Sequence, residues 1–199
     1  MTGANIVLVG VGGQGTLLAS RILGALAIKL GYDVKVSEVH GMAQRGGSVV
    51  TFVRMGRGNI RSPLVEAAGA DYVLAFEQLE AARAIPYLKK GGVMIVNTQK
   101  ILPMPVITGA APYPELLGWL KERARVVALD AMGMAVEAGV DKAVNLVLLG
   151  ALCAQVRGDK APWLSAIEEC VPPKLLEANL RAFEAGYQAV LTGHQLDGF

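Results

Sequence analysis

The chain has 199 residues, of which 53% are hydrophobic and 18% are charged, and its formal net charge is +2 at pH 7. This length fits one α/β domain with a full core. The nearly balanced charge, without a basic run, argues against a nucleic acid partner, and no stretch approaches the ~18–20 continuous apolar residues of a membrane span. The first residues show no basic segment of the secretory type, so we expect a cytoplasmic protein.

Strand and helix patterns alternate along the first 130 residues, and from residue 131 only helical patterns remain. The order predicts a doubly wound, mainly parallel Rossmann-like sheet with helices on both faces. We expect a single domain with an α/β core over 1–130, a helical extension over 131–191 and a loose tail over 192–199. Strands are predicted over 5–9, 33–39, 48–54, 71–75, 93–96 and 126–129, and helices over 15–30, 79–88, 116–123, 132–138, 143–157, 163–169 and 173–191.

A glycine-rich turn, Gly10-Val-Gly12-Gly13-Gln14-Gly15, follows the first predicted strand. At such positions we expect Gly10 to allow the tight turn, Gly12 to admit a ligand or a neighbouring backbone, and Gly15 to let the helix pack on the strand. The N–H groups at the start of the next helix suit an anion. NAD enzymes, flavin enzymes and non-binding relatives share this geometry, so the motif alone does not identify a ligand.

Two polar candidates end the second predicted strand. Glu38 lies 23 residues after Gly15, near the position of the acid that binds ribose hydroxyls in dinucleotide-binding chains. The alternative is a strand-end carboxylate in water or paired with Arg45 or Arg54. His40 could act as a general acid or base, but we favour a histidine that only hydrogen-bonds. No nucleophile pattern accompanies it, and we assign no catalytic residue.

The loop that follows is the second unusual segment, because Gln44 and Arg45 precede the pair Gly46-Gly47. A planar guanidinium beside glycines suits recognition of a phosphate or a carboxylate, since its forked donors need close approach. The alternative is a tight loop whose arginine ties it to the domain or to another chain.

For the remaining polar residues of interest, the sequence favours structural roles. Asn97 and Thr98 end a predicted strand and are expected to fix a backbone turn. Asn145 lies in an apolar helix and is expected to cap it or to pack against a neighbour. Cys153 and Cys170 form no CxxC pair and no cluster with histidine, so no metal or iron–sulfur site is predicted.

Taken together, these segments resemble the gamma subunit or gamma domain of the 2-oxoacid:ferredoxin oxidoreductases, above all of the indolepyruvate type. The resemblance extends from residue 5 to about residue 155, and the glycine turn joined to Ala-Gln-Arg-Gly-Gly is its most specific part. The matching segments are 10–15, 37–48, 70–71, 77–81, 97–98 and 145–151.

The resemblance implies an accessory subunit, inactive alone, of an enzyme that oxidatively decarboxylates a 2-oxoacid to an acyl-coenzyme A and reduces ferredoxin. Indolepyruvate or another arylpyruvate is the favoured substrate. Thiamine diphosphate, Mg²⁺, iron–sulfur clusters and coenzyme A would be bound mainly by large partner subunits, and ferredoxin would be an indirect partner. Contact with a phosphate, with coenzyme A or with a partner is implied for Gly10, Gly12, Gly13, Gln14, Gly15, Gln44, Arg45, Gly46 and Gly47.

Three alternatives stay open. The chain could be the gamma subunit of a pyruvate, 2-oxoisovalerate or 2-oxoglutarate complex. It could be a stand-alone NAD-dependent dehydrogenase, for which Glu38 and His40 are the candidate residues. It could also be a nucleotide-sensing domain, which would form a homo-oligomer, such as a homodimer, without a partner subunit.

Overall fold

The computed structural model describes residues 3–41 and 47–193. The helices and strands of these residues follow one another in the alternating order that the sequence predicts. The strands are β1 (Gly3–Val11), β2 (Asp33–His40), β3 (Ser48–Gly56), β4 (Ala70–Ala75), β5 (Leu88–Asn97) and β6 (Arg125–Leu129). The helices are α1 (Thr16–Lys29), α2 (Gln78–Ala84), α3 (Met104–Ile107), α4 (Leu117–Lys121), α5 (Ala131–Glu137), α6 (Val144–Val156), α7 (Ala161–Cys170) and α8 (Pro173–Leu191), with 3-10 turns at Ile85–Tyr87 and Asp141–Ala143.

The strands form one sheet in the order β2-β3-β1-β4-β5-β6. Strands β1, β4, β5 and β6 pair in parallel, whereas β3 runs antiparallel to both of its neighbours, β1 and β2. The prediction of a mainly parallel sheet is therefore confirmed. The insertion of β3 between β1 and β2 places the end of β2 two strand spacings, about 10 Å, from the end of β1.

Alternate side chains of the sheet enter two hydrophobic layers, so helices cover both faces as predicted. One layer joins the sheet to α1, α5, α6, α7 and α8, and the other joins it to α2 and α4. Residues typical of the first layer are Ile6, Leu8, Leu74 and Ile95, and residues typical of the second are Val7, Val9, Val73 and Met94.

Helix α6 is apolar on all sides because it lies between the sheet and α8. The two helices approach so closely that a Cβ on Gly150 would lie 1.9 Å from the carbonyl oxygen of Phe183. A Cβ on Gly186 would lie equally close to the carbonyl oxygen of Val147. Only glycine fits at either position of this crossing.

Some predicted boundaries are wrong. The helix predicted over 79–88 ends at Ala84, because Pro86 lacks an N–H and its ring opposes the continuing helix. Strand β5 then begins at Leu88, so Gly91 and Gly92 lie inside this strand and not before it.

Of the tail predicted over 192–199, residues 194–199 lie outside the described residues. Within the described part of the chain, no helix combines the length and the apolar character needed to cross a membrane.

Candidate functional site

The two unusual loops of the sequence meet at the carboxyl edge of the sheet, where open α/β folds bind their ligands. The N–H of Gly12 donates to the carbonyl oxygen of Gly47 at 3.1 Å. The N–H of Gly41 donates to the carbonyl oxygen of Ser48 at 2.8 Å. Both ends of the second loop are thus held beside the glycine turn. Gln44, Arg45 and Gly46, which the sequence singles out, lie outside the described residues.

The glycines of the turn have different roles from those expected. Gly10 belongs to β1 and not to the turn, and it is needed because a Cβ there would lie 3.0 Å from Cβ of Phe76. Gly15 has a φ of 91° and faces the Asn145 side chain of α6, so the neighbour it admits is that helix and not the strand. Gly13 has a φ of 96° and open space beside it, which leaves this part of the turn accessible.

Gln14 is a structural residue of the turn. Its Oε1 accepts from the N–H of Val11 at 2.7 Å, and its Nε2 donates to the carbonyl oxygen of Phe76 at 3.2 Å and to Oε1 of Gln99 at 3.4 Å. The side chain therefore ties the turn to the ends of β4 and β5. The amide makes these contacts within the protein, and the half-buried residue also lines the pocket that opens beside the turn.

A pocket of about 430 Å³ opens between the glycine turn and the start of α6. The N–H groups of Gly13, Gly15 and Thr16 donate no hydrogen bond to another described residue. Lys142 and Asp141 both line the pocket, so the side chains around it carry charges of both signs. Free N–H groups beside a lysine give an environment that can hold an anionic group.

A second depression, of about 450 Å³, lies on the other side of the turn and contains Arg21, Glu38 and His40. Oε2 of Glu38 accepts from Oγ1 of Thr51 at 2.8 Å, and Oε1 lies 2.8 Å from Nε2 of His40. Both carboxylate oxygens are thus engaged within the protein, although Gly12, Gly13 and Gly15 of the turn line the same depression. Glu38 is a strand-end carboxylate held by His40 and Thr51, and the ribose contact, the other interpretation of this residue, stays a prediction.

The alternative pairing of Glu38 with Arg54 is also wrong. Nε of Arg54 donates to Oδ1 of Asn5 at 3.2 Å, and its Nη1 donates to the carbonyl oxygens of Ser62 and Leu64. Arg54 therefore fixes the loop after β3. The other proposed partner of Glu38, Arg45, is not among the described residues.

Asn97 and Asn145 have the structural roles that the sequence predicts. Nδ2 of Asn97, which is fully buried, donates to the carbonyl oxygen of Phe76 at 3.0 Å, and its Oδ1 accepts from the N–H of Ala131 at 3.1 Å. Asn145 donates from Nδ2 to the carbonyl oxygen of Gly15 at 3.2 Å. These amides join neighbouring strand ends and fix α6 against the turn.

Two carboxylates at this edge, Glu77 and Glu80, lie in a segment that the sequence singles out, but their burial and their structural roles were not predicted. Glu77 caps α2 by accepting from the N–H groups of Leu79 and Glu80, and burial raises the pKa of its carboxyl. Glu80 accepts from Oγ of Ser48, which anchors the end of the second loop. The sequence signal for this capped helix start is an acid directly after a buried strand, followed by another acid three residues later.

The described residues contain no group of three or more histidine, cysteine, aspartate or glutamate side chains that could hold a metal ion. Cys153 and Cys170 are both free thiols, and burial raises the pKa of Cys153 to about 12. The chemistry of the described site therefore consists of backbone N–H groups, amides and a few charged side chains.

The family described as pyruvate ferredoxin/flavodoxin oxidoreductase matches residues 5–189. The chain is 44% identical to indolepyruvate oxidoreductase subunit IorB of Thermococcus kodakarensis, with 93% of this chain and 95% of the relative covered. It is 40% identical to the subunit of the same name from Archaeoglobus fulgidus, over 95% and 96% of the two chains. The crystal structure of the gamma subunit of a keto/oxoacid ferredoxin oxidoreductase from Geobacter sulfurreducens is similar, with a TM-score of 0.72 and 26% identity, and 95% of this chain and 99% of that one are covered.

Proposed function

Because this chain belongs to the pyruvate ferredoxin/flavodoxin oxidoreductase family, we propose that it is the gamma-type accessory subunit of a 2-oxoacid:ferredoxin oxidoreductase, inactive by itself. The observation that carries the proposal is the 44% identity, over nearly the whole chain, to a subunit of an indolepyruvate oxidoreductase. Indolepyruvate or another arylpyruvate is the substrate we favour. Pyruvate, 2-oxoisovalerate and 2-oxoglutarate are the alternatives.

The proposed complex divides its chemistry between subunits. Thiamine diphosphate with Mg²⁺, when bound by the large partner subunit, supplies the carbanion chemistry, and iron–sulfur clusters there carry electrons to ferredoxin. This chain contributes a rigid sheet edge, whose loops are fixed by Gln14, Asn97 and Glu80. His40 is paired with Glu38 and is given no catalytic role.

Apolar side chains exposed around the carboxyl edge support docking of the large subunit there. Leu17 lies in the first turn of α1, and Leu102, Met104 and Ile107 lie in the segment that follows β5. Between 47% and 66% of each residue is exposed. Exposed apolar residues are typical of protein interfaces, so we propose that the large subunit covers them and closes the pocket beside the glycine turn.

We further propose that the glycine turn and the second loop contact a phosphate of coenzyme A or a carboxylate of the partner. Accessible backbone at Gly12 and Gly13, the free N–H groups of Gly13 and Gly15, and Lys142 support this assignment. Gln44, Arg45, Gly46 and Gly47 complete the proposed contact. Gly10, which is buried, and Gln14, which also lines the pocket, support the turn.

Co-purification from the native source tests the subunit proposal. We expect the tagged chain to bring down one large subunit that contains thiamine diphosphate and iron–sulfur clusters. Several small subunits would instead favour the pyruvate or 2-oxoglutarate type. A stable homo-oligomer without any partner, from a source that encodes no large subunit, would contradict the proposal.

The ligand proposal is tested with Arg45→Ala in the assembled complex. Loss of one charge-assisted contact costs about 1.5–3 kcal/mol, so we expect the KM for coenzyme A to rise about tenfold or more while the KM for the 2-oxoacid changes little. Arg61→Ala, which removes a cation from an exposed position, is the matched control. An unchanged KM for coenzyme A in Arg45→Ala would remove the coenzyme A contact but leave the subunit proposal standing.

A further inference from the structure

A surface rich in lysine and arginine lies at the amino ends of β5 and β6, at the opposite edge of the sheet from the glycine turn. Two adjoining depressions, of about 560 and 370 Å³, share Lys89, Gly91 and Arg125. We call them together the basic cleft. It is lined by Lys89, Lys90, Lys121, Arg123, Arg125 and Arg157, with the carboxylates of Asp71 and Glu122 among them.

The cleft concentrates positive charge that the whole chain does not have. Its six cations and two carboxylates give an excess of four positive charges, whereas the net charge of the chain is +2. Fields from such a cluster extend about one Debye length, ~8 Å at physiological ionic strength, beyond the surface. The cleft is therefore suited to attract an anionic partner.

Some of these cations are held by the protein and others are not. Lys89 pairs with Asp71, and Arg123 pairs with Glu122 at 2.9 Å while it stacks on the ring of Trp119 at 4.3 Å. The side chains of Lys90 and Arg157 are exposed and make no hydrogen bond or ion pair with another described residue. They are available to pair with carboxylates from outside.

The shape of the cleft favours an extended partner. Lys89 and Lys90 lie near the start of β5, Arg125 starts β6, and Arg157 follows the end of α6. Adjacent strands are about 4.8 Å apart, so cations spread over two strands and a helix end span more than a single phosphate or carboxylate can reach. A surface with several carboxylates can contact them together.

The composition of the cleft favours a protein over a nucleic acid. Asp71 and Glu122 lie among the cations and would repel a continuous phosphate backbone, whereas a protein segment can place its carboxylates against the unpaired cations alone. The Arg123 guanidinium stacks on one face of the ring of Trp119, so this face does not offer a stacking surface to a base.

We propose that the basic cleft is a docking surface for a carboxylate-rich segment of a second protein, with Lys90 and Arg157 as its uncommitted contacts. This interaction is separate from the glycine turn and goes beyond the function proposed above, since it depends only on the charge and shape of the amino edge.

The test measures binding of a fluorescein-labelled deca-glutamate peptide to the full-length chain by fluorescence anisotropy, in about 0.02 M and about 0.5 M salt. We expect saturable binding at low salt that weakens at high salt. The double variant Lys90→Glu, Arg157→Glu should bind at least tenfold more weakly. The control Arg61→Glu, Lys174→Glu changes the net charge equally at exposed positions outside the cleft and should stay within about threefold of the unmodified chain.

Several outcomes would overturn the proposal. They are absence of saturable peptide binding, equal weakening in the two double variants, and tighter binding of a ten-nucleotide single-stranded DNA that the cleft variant abolishes. All four substituted positions are exposed, and a thermal melt of each variant verifies its fold. If the cleft variant fails to fold, the double variant Lys90→Gln, Arg157→Gln is used instead. It removes the two positive charges without introducing negative ones.

Discussion

Glu77 connects two parts of the carboxyl edge through one buried carboxylate. Its oxygens accept from the first N–H groups of α2 and also interact with the backbone N–H of Ile101, in the segment that follows β5. Burial is the largest influence on this carboxyl and raises its pKa in spite of these donors. Glu77 therefore stabilises the helix start and the neighbouring loop, but at neutral pH it does so against a cost of desolvation.

We expect Glu77→Ala to lower the free energy of unfolding by about 0.5–2 kcal/mol, the usual cost of losing a helix cap. For a chain of this size each kcal/mol corresponds to roughly 2–4 °C in the melting temperature. Glu66→Ala, at an exposed position, is the control and should change little.

The contribution of Glu77 to the free energy of unfolding changes with pH, and the raised pKa of its carboxyl sets the direction of that change. Because the folded pKa is raised, the folded state binds more protons than the unfolded state above the ordinary pKa of 4.5. The stabilisation by Glu77 is then complete below this value and declines as the pH rises through the folded pKa. Denaturation at several pH values should show a smaller difference between Glu77→Ala and the unmodified chain at pH 8 than at pH 4. A difference that grows with pH would contradict this account.

At the scale of elements, the crossing of α6 and α8 determines how the helical extension packs on the core. Gly150 and Gly186 let the two backbones touch, and the buried apolar surface of α6 depends on that approach. Tight crossings of this kind tolerate no added methyl group, because the clashing atoms belong to the backbone of the facing helix.

We expect Gly150→Ala to destabilise the chain by about 3 kcal/mol or more, as measured by denaturant unfolding, since its Cβ would overlap the carbonyl oxygen of Phe183. Gly24→Ala in α1 is the matched control, because nothing lies within 4 Å of the position of its Cβ. Alanine favours a helix interior, so the control should stabilise by about 0.5–1 kcal/mol. Equal effects of the two substitutions would show that the crossing is not as tight as described.

The elements also show why sequence reasoning succeeds in one respect and fails in another. Runs of apolar residues predicted β1, β4 and β5, because a strand buried on both faces records its environment locally, whereas β2 is a half-exposed strand. The order of strands depends on contacts between distant residues, and the position of β3 was therefore not predictable. The spacing from Gly15 to Glu38 is typical of a dinucleotide site, yet in the fold β3 lies between β1 and β2, and Thr51 of β3 donates to the Glu38 carboxylate.

At the scale of the whole molecule, the two edges of the sheet carry different chemistry. The carboxyl edge combines the glycine turn with exposed apolar side chains, and the amino edge carries the basic cleft. The cations of the cleft come from residues 89–90, 121–125 and 157, so no basic run marks them in the sequence. The low share of charged residues, in contrast, was visible from composition and agrees with a chain whose surface is partly covered by a partner.

The central claim, that this chain is an accessory subunit of a 2-oxoacid:ferredoxin oxidoreductase, is tested most directly by reconstitution. The rate of ferredoxin reduction with indolepyruvate and coenzyme A is measured for the large subunit alone, for this chain alone, and for mixtures of increasing ratio. The account predicts little activity in either component and an activity in the mixture that saturates at a fixed ratio. A large subunit that reaches the full rate without this chain, or activity of this chain by itself, would contradict it.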